Sequence, residues 1–112
     1  MKKYRANHPL LDKTCHFNSH YKAKIGVSDV ESLILKQLRK CALCNSELVG
    51  NSWEFDHIVP RTLGGSSELS NIQILCPFCN RGKCTYTVQQ YVEHCMKVVA
   101  SLNQSVKMVE KN

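Results

Sequence analysis

Two widely separated Cys-x-x-Cys pairs, an alternating apolar segment between them, and apolar positions at helical spacing on either side predict an α+β fold: a small domain stapled by a structural metal and flanked by helices. At 112 residues the chain is one domain at most, and a core of that size gains from a staple. Its composition, 43% hydrophobic and 21% charged, is too apolar for a disordered tail and too polar for a membrane protein. No apolar run approaches the roughly 18 residues of a membrane span. The opening MKKYRANHPLLDK lacks the apolar stretch and small-residue cleavage site of a signal peptide, so a cytoplasmic protein without a membrane partner is expected.

The elements follow from the N-terminus. Residues 1–27 read as a basic arm: from Met1 to Lys24, six basic residues (Lys2, Lys3, Arg5, Lys13, Lys22, Lys24) face one acid, Asp12, so five of the six net positive charges lie there. Such an arm suits a polyanion, nucleic acid first, although a solvated tail has the same composition. A domain over residues 28–102 is expected next, with a tail over 103–112. Ser28 and Glu31 have the form of a capping box, and Leu33, Ile34, Leu35 and Leu38 recur at helical spacing, which predicts a helix from about Asp29 to Lys40. After a turn-rich stretch, Trp53, Phe55, His57 and Val59 alternate with Glu54, Asp56 and Ile58 in a short strand stopped by Pro60, with Trp53 and Phe55 expected in the hairpin core. The loop TLGGSSELS leads to a second strand, Asn71 to Leu75. Pro77 suits the first turn of a helix that would carry Cys79 and Asn80. Thr87 and Gln90 form another capping box, for a helix with Val88, Tyr91, Val92, Cys95 and Val99 on one face, ending near Leu102.

Seven cysteines is an odd count, unsuited to a disulfide framework. Cys41 with Cys44, and Cys76 with Cys79, instead form two knuckles, each offering two sulfurs, and four thiolates complete a tetrahedral structural zinc. The 31 residues between the knuckles exceed the about 15–20 of a simple ribbon, so an extra element is inserted there. Cys15, His16 and His20 lack an evident fourth ligand, and Cys95 is expected in the core.

Between the knuckles lie a carboxylate, an imidazole and two carboxamides: Asp56, His57, Asn71 and Asn80. Phosphodiester cleavage needs a base to activate water and a hard divalent cation to neutralise charge on phosphate oxygens. Asp56 and Asn80 supply oxygen ligands of the kind magnesium or manganese takes, and His57 supplies the base. Adjacent strand residues point to opposite faces, so Asp56 and His57 serve one site only if the strand bends there or if metal and nucleophile sit on different sides of a scissile phosphate.

The order CALC, then EFDHIVPRTLGGSSELSNIQILCPFCNRGK, resembles the HNH endonuclease family, in its zinc-stapled four-cysteine branch among phage, homing and restriction nucleases. The resemblance covers residues 41–83, which is 43 of 112. It implies a ββα-metal fold with His57 as general base, Asp56 as a ligand of the catalytic cation, and Asn71 as the residue that holds the loop and orients the base through backbone hydrogen bonds. Asn80 stands where the family often has histidine; a carboxamide there favours magnesium or manganese over zinc or nickel. Arg61, Arg81 and Lys83 flank the constellation and suit phosphate contacts, and Thr62, Ser66 and Ser67 would add contacts to the substrate backbone.

The expected activity is metal-dependent hydrolysis of DNA, by nicking or low-specificity cleavage, with RNA as an alternative substrate. A non-catalytic zinc-knuckle nucleic-acid-binding module is the rival, but it has no need of Asp56, His57 and Asn80 together. A third reading is a nuclease subunit active only with a protein partner in a phage or recombination complex. A monomer or weak dimer is expected.

Overall fold

Pro9 opens the first element of the computed structural model, which describes residues 9–111, and side chains for residues 9–104. Residues 1–8 of the expected arm, with Lys2, Lys3 and Arg5, lie outside the described residues, as does Asn112. Residues 9–21, where the sequence reading placed no element, form helix α1 (Pro9–Tyr21). Proline fits the first turn, and Leu10, Thr14, Phe17 and Tyr21 follow at spacings of four, three and four, making one inward face. Thr14 satisfies its buried hydroxyl by donating to the Leu10 carbonyl at 2.7 Å. Phe17 joins Ile25, Val30, Trp53, Ile72 and Ile74 in the core. Lys13 fastens α1 to the hairpin, donating to the Trp53 carbonyl at 2.7 Å with its ammonium 4.8 Å from the centre of that indole ring.

Helix α2 (Val27–Lys36) is capped two residues before the predicted box: the Gly26 N–H donates to Asp29 Oδ2 at 3.1 Å, so Gly26 and Asp29 take the place expected of Ser28 and Glu31. It also stops short of Lys40. The Gln37 carboxamide leaves the helix to clasp Ile74, donating to its carbonyl at 2.9 Å and accepting from its N–H at 3.0 Å, and Leu38 and Arg39 then turn left-handed at φ 56° each.

Strands β1 (Glu54–His57) and β2 (Ile72–Leu75) form an antiparallel pair in which Asp56 faces Gln73 and His57 faces Ile72. The first strand ends at His57, earlier than the alternation suggests, because Asn71 engages the chain beyond it. Helix α3 (Pro77–Lys83) follows β2, with Cys76 as its cap and proline in the first turn. Helix α4 (Val88–Lys111) starts with the predicted box: the Gln90 N–H donates to Thr87 Oγ1 at 3.1 Å, and the Thr87 N–H to Gln90 Oε1 at 2.9 Å. It runs past Leu102 through residues expected as a tail, a stretch in which neither glycine nor proline interrupts it. Cys95, expected in the core, is only partly buried on this helix. Gly82 lets α4 approach α3, since a Cβ there would lie 2.8 Å from the Tyr91 hydroxyl. No helix among the described residues is long and apolar enough to cross a membrane.

Candidate active site

The pleat of β1 divides its side chains between two neighbours. Phe55 and His57 face α1, where Phe17 lies 4.8 Å from the Phe55 ring and 5.6 Å from the His57 ring. Glu54 and Asp56 face α3, which brings Asn80 and Lys83 against them.

Asp56 is 5% exposed and Lys83 is fully buried. The Lys83 ammonium lies 3.2 Å from Asp56 Oδ1 and 3.1 Å from Oδ2, and donates to the His57 carbonyl at 3.0 Å. Gln73, the cross-strand partner of Asp56, donates to Oδ2 at 2.9 Å. Together these contacts compensate a carboxylate that could not remain charged in the interior unpaired. Lys83, expected at a phosphate, is thus enclosed and committed to Asp56. Arg61 and Arg81 are exposed, Arg61 at the mouth of the site and Arg81 on α3.

His57 is half-buried, and its Nε2 is hydrogen-bonded to Ser67 Oγ at 3.0 Å. The Tyr21 ring meets the imidazole edge-on, centres 4.7 Å apart. Burial first, and the Arg61 charge second, hold its pKa below 6.5, against the opposing pull of Asp56, and Lys83 adds to the lowering. At neutral pH the imidazole is therefore neutral and able to accept a proton.

Asn71 grips the loop that follows β1. Its Oδ1 accepts from the Val59 N–H at 2.9 Å, while Nδ2 donates to the carbonyls of Val59 at 3.1 Å and Ser66 at 2.7 Å. The loop closes so tightly that a Cβ on Gly65 would lie 1.8 Å from the Val59 carbonyl oxygen. Asn80 donates through Nδ2 to Glu54. Asp56, His57, Asn80 and Arg61 all line one open cleft of about 260 Å³, with Tyr21 among its walls. Asn71 stands outside that lining and acts on the loop.

At the start of α3, the sulfurs of Cys41, Cys44, Cys76 and Cys79 lie within 4.8 Å of one another. Zinc–sulfur bonds of about 2.3 Å in a tetrahedron require sulfur–sulfur edges of about 3.8 Å, and the Cys44 and Cys76 sulfurs are 3.8 Å apart. The donor set thus fits a structural zinc. Hydrogen bonding to Ser46, side chain before backbone, lowers the Cys44 thiol to about 6, while burial raises Cys76 and Cys79. A divalent cation among four such sulfurs would hold them all as thiolates. The Ala42 N–H donates to the Ile74 carbonyl at 3.1 Å and so ties the first knuckle to β2. Among the described residues no such cluster includes Cys15, His16 or His20.

Residues 41–85 match the family model described as HNH endonuclease. The chain carries an HNH endonuclease domain. Among solved structures it is similar to the Type II-C Cas9 enzyme from Actinomyces naeslundii, with a TM-score of 0.55 and 22% identity over 84% of this chain. That likeness is one of fold, and the chain spans 10% of the Cas9 chain. No curated protein matches it in sequence.

Within the HNH domain, sequence reasoning placed His57, Asp56 and Asn80 on elements that do converge. It missed Glu54 as the partner of Asn80, Gln73 as a partner of Asp56, and Ser67 as the partner of His57. Gln73 could have been found, because a two-strand register pairs it with Asp56 once the hairpin is drawn. Phe17 and Tyr21 come from α1, outside the matched residues, and only their helical spacing with Leu10 hints at them.

Proposed function

We propose that the protein is a metal-dependent endonuclease that hydrolyses DNA phosphodiester bonds. The observation that carries this reading is the convergence of His57, Asp56, Asn80 and Arg61 on one open cleft within the HNH match. His57, neutral at physiological pH, takes the proton of the attacking water. Asp56 and Asn80 are the oxygen donors that would hold a divalent ion, magnesium or manganese. The hydrogen bonds from Lys83 to Oδ1 and from Gln73 to Oδ2 leave a carboxylate with about four lone-pair sites room for a further ligand. When bound, that ion neutralises charge building on the phosphate. Asn71 keeps the loop, and with it Ser67 and His57, in register. Arg61 forks onto phosphate oxygens at the cleft mouth, and Arg81 adds a contact from α3. The four cysteines hold zinc as a structural staple.

The products, by likeness to the family, carry 5′-phosphate and 3′-hydroxyl ends. Contacts made mainly to phosphates convey little base information, so nicking or low-specificity cleavage follows. The basic residues before the domain extend the contact with nucleic acid, in the cytoplasm.

Incubation of the zinc-loaded protein with supercoiled plasmid, beside His57→Ala, in magnesium, manganese or EDTA, tests the reading. Nicked or linear plasmid that requires the divalent ion and is lost in His57→Ala is the expected result. No cleavage by folded protein under any ion would overturn it in favour of a binding module or a subunit that cuts only within a larger assembly.

A further inference from the structure

The ring of Tyr21 stands between the two groups that the proposed hydrolysis requires at the cleft mouth. Its edge-on contact with His57 has centres 4.7 Å apart at 71° between planes, and the Arg61 guanidinium carbon lies 5.1 Å from its centroid. It borders the cleft that holds Asp56, His57 and Asn80, and also a second cleft, lined by Lys22, Lys24 and Ser67. Its neighbour Phe17 is fully in the core and does the anchoring, whereas Tyr21 is only half-buried.

The backbone beneath Tyr21 is fixed. Asn18 exchanges two hydrogen bonds with Ile25, donating from Nδ2 to its carbonyl at 2.7 Å and accepting its N–H at 2.9 Å, and Lys22 turns left-handed at φ 54°. That corner ends α1 and leaves the Tyr21 ring on a rigid mount against Phe17, centres 4.8 Å apart.

We propose that Tyr21, supplied by a helix outside the HNH match, is a positioning residue that holds the His57 imidazole and the Arg61 guanidinium in their working orientations. The inference rests on the nuclease reading above. An aromatic face attracts a guanidinium and an aromatic edge limits rotation of a neighbouring ring, so one side chain restrains both groups. The ring makes these contacts. The hydroxyl has no hydrogen-bond partner among the described residues.

The test compares Tyr21→Phe and Tyr21→Leu in the full zinc-loaded chain, with plasmid cleavage in magnesium or manganese and the NMR signals of the His57 ring as readouts. Displacement of catalytic groups by about 1 Å costs up to about 100-fold in rate. Tyr21→Leu is expected to lower kcat about 10- to 100-fold with KM changed less than about threefold, and to shift the His57 ring resonances, whereas Tyr21→Phe restores both. Equal cleavage by Tyr21→Leu and wild type, or an equal loss in Tyr21→Phe, overturns the proposal while leaving the nuclease reading intact. Unfolding of Tyr21→Leu under conditions where Phe17→Leu stays folded would also overturn it, by making Tyr21 a core residue. A folded wild type that cuts under no ion defeats the nuclease reading itself and takes this inference with it; unchanged His57 signals in Tyr21→Leu defeat the contact separately.

Discussion

Lys83, itself fully buried, sets its ammonium 3.1 Å from the Asp56 carboxylate, which keeps only a small part of its surface open to the cleft. The pair joins α3 to β1 at the base of the candidate site, and each charge is tolerated there only because of the other. Lys83→Met therefore leaves a buried carboxylate without its counter-charge and is expected to cost about 3–5 kcal/mol. Chemical denaturation of the zinc-loaded protein measures it. In Asp56→Asn/Lys83→Met the loss should be partly recovered, and a double variant no better than the sum of the singles would contradict the pairing.

The zinc staple makes a separate prediction. Structural zinc in small domains contributes on the order of 10 kcal/mol, comparable with the whole net stability of a domain this size. Chelation, or Cys79→Ser, is expected to abolish cooperative folding of the region around the knuckles, followed by circular dichroism together with zinc stoichiometry. Four thiols should become reactive on metal removal, in addition to those of Cys15, Cys84 and Cys95.

Asn71 makes three hydrogen bonds to loop backbone. At about 1 kcal/mol apiece, Asn71→Ala should lose about 2–3 kcal/mol and free the loop. Faster hydrogen exchange at the Val59 amide is the local signature. Gly65→Ala should disturb the same loop by another route, since its Cβ would collide with the Val59 carbonyl and the backbone itself would have to move.

His57 should titrate below 6.5 in an NMR experiment without added divalent ion. Arg61→Gln removes a repelling charge and should move the midpoint up, while Asp56→Asn removes an attracting one and should move it down. The folded imidazole binds its proton less tightly than the unfolded one. Below pH 6.5 the unfolded state consequently takes up more protons, and the stability contributed by this group falls as pH drops through that window.

The parts of the site that sequence revealed are those whose chemistry is tied to short spacing. Two sulfurs three residues apart announce a knuckle, and a carboxylate beside an imidazole at a strand end announces itself whatever surrounds it. The orientation of Lys83 is different in kind: nothing local distinguishes a lysine that reaches solvent from one drawn inward by a carboxylate 27 residues earlier, and only the packing of α3 on the hairpin decides it. Helix α1 is obscured in the sequence by the basic residues on either side of it, Lys2, Lys3 and Arg5 before and Lys22 and Lys24 after, although Leu10, Phe17 and Tyr21 already carry the periodicity. The cap of α2 shifted because Asp29 reaches the Gly26 N–H, a competition between neighbouring capping pairs that the residue types alone leave open.

The Gln37 clasp on Ile74 bears on how such a small sheet survives in a crowded cell. A two-stranded ribbon would ordinarily present unpaired backbone groups along its outer margins, ready templates for another chain and for aggregation. On β2, the Gln37 side chain takes both the N–H and the carbonyl of Ile74, and the Ala42 amide takes the same carbonyl again. A side chain thereby serves as a stub of a third strand, ending the sheet at the middle of β2 and leaving no ladder there for an intruding strand to extend.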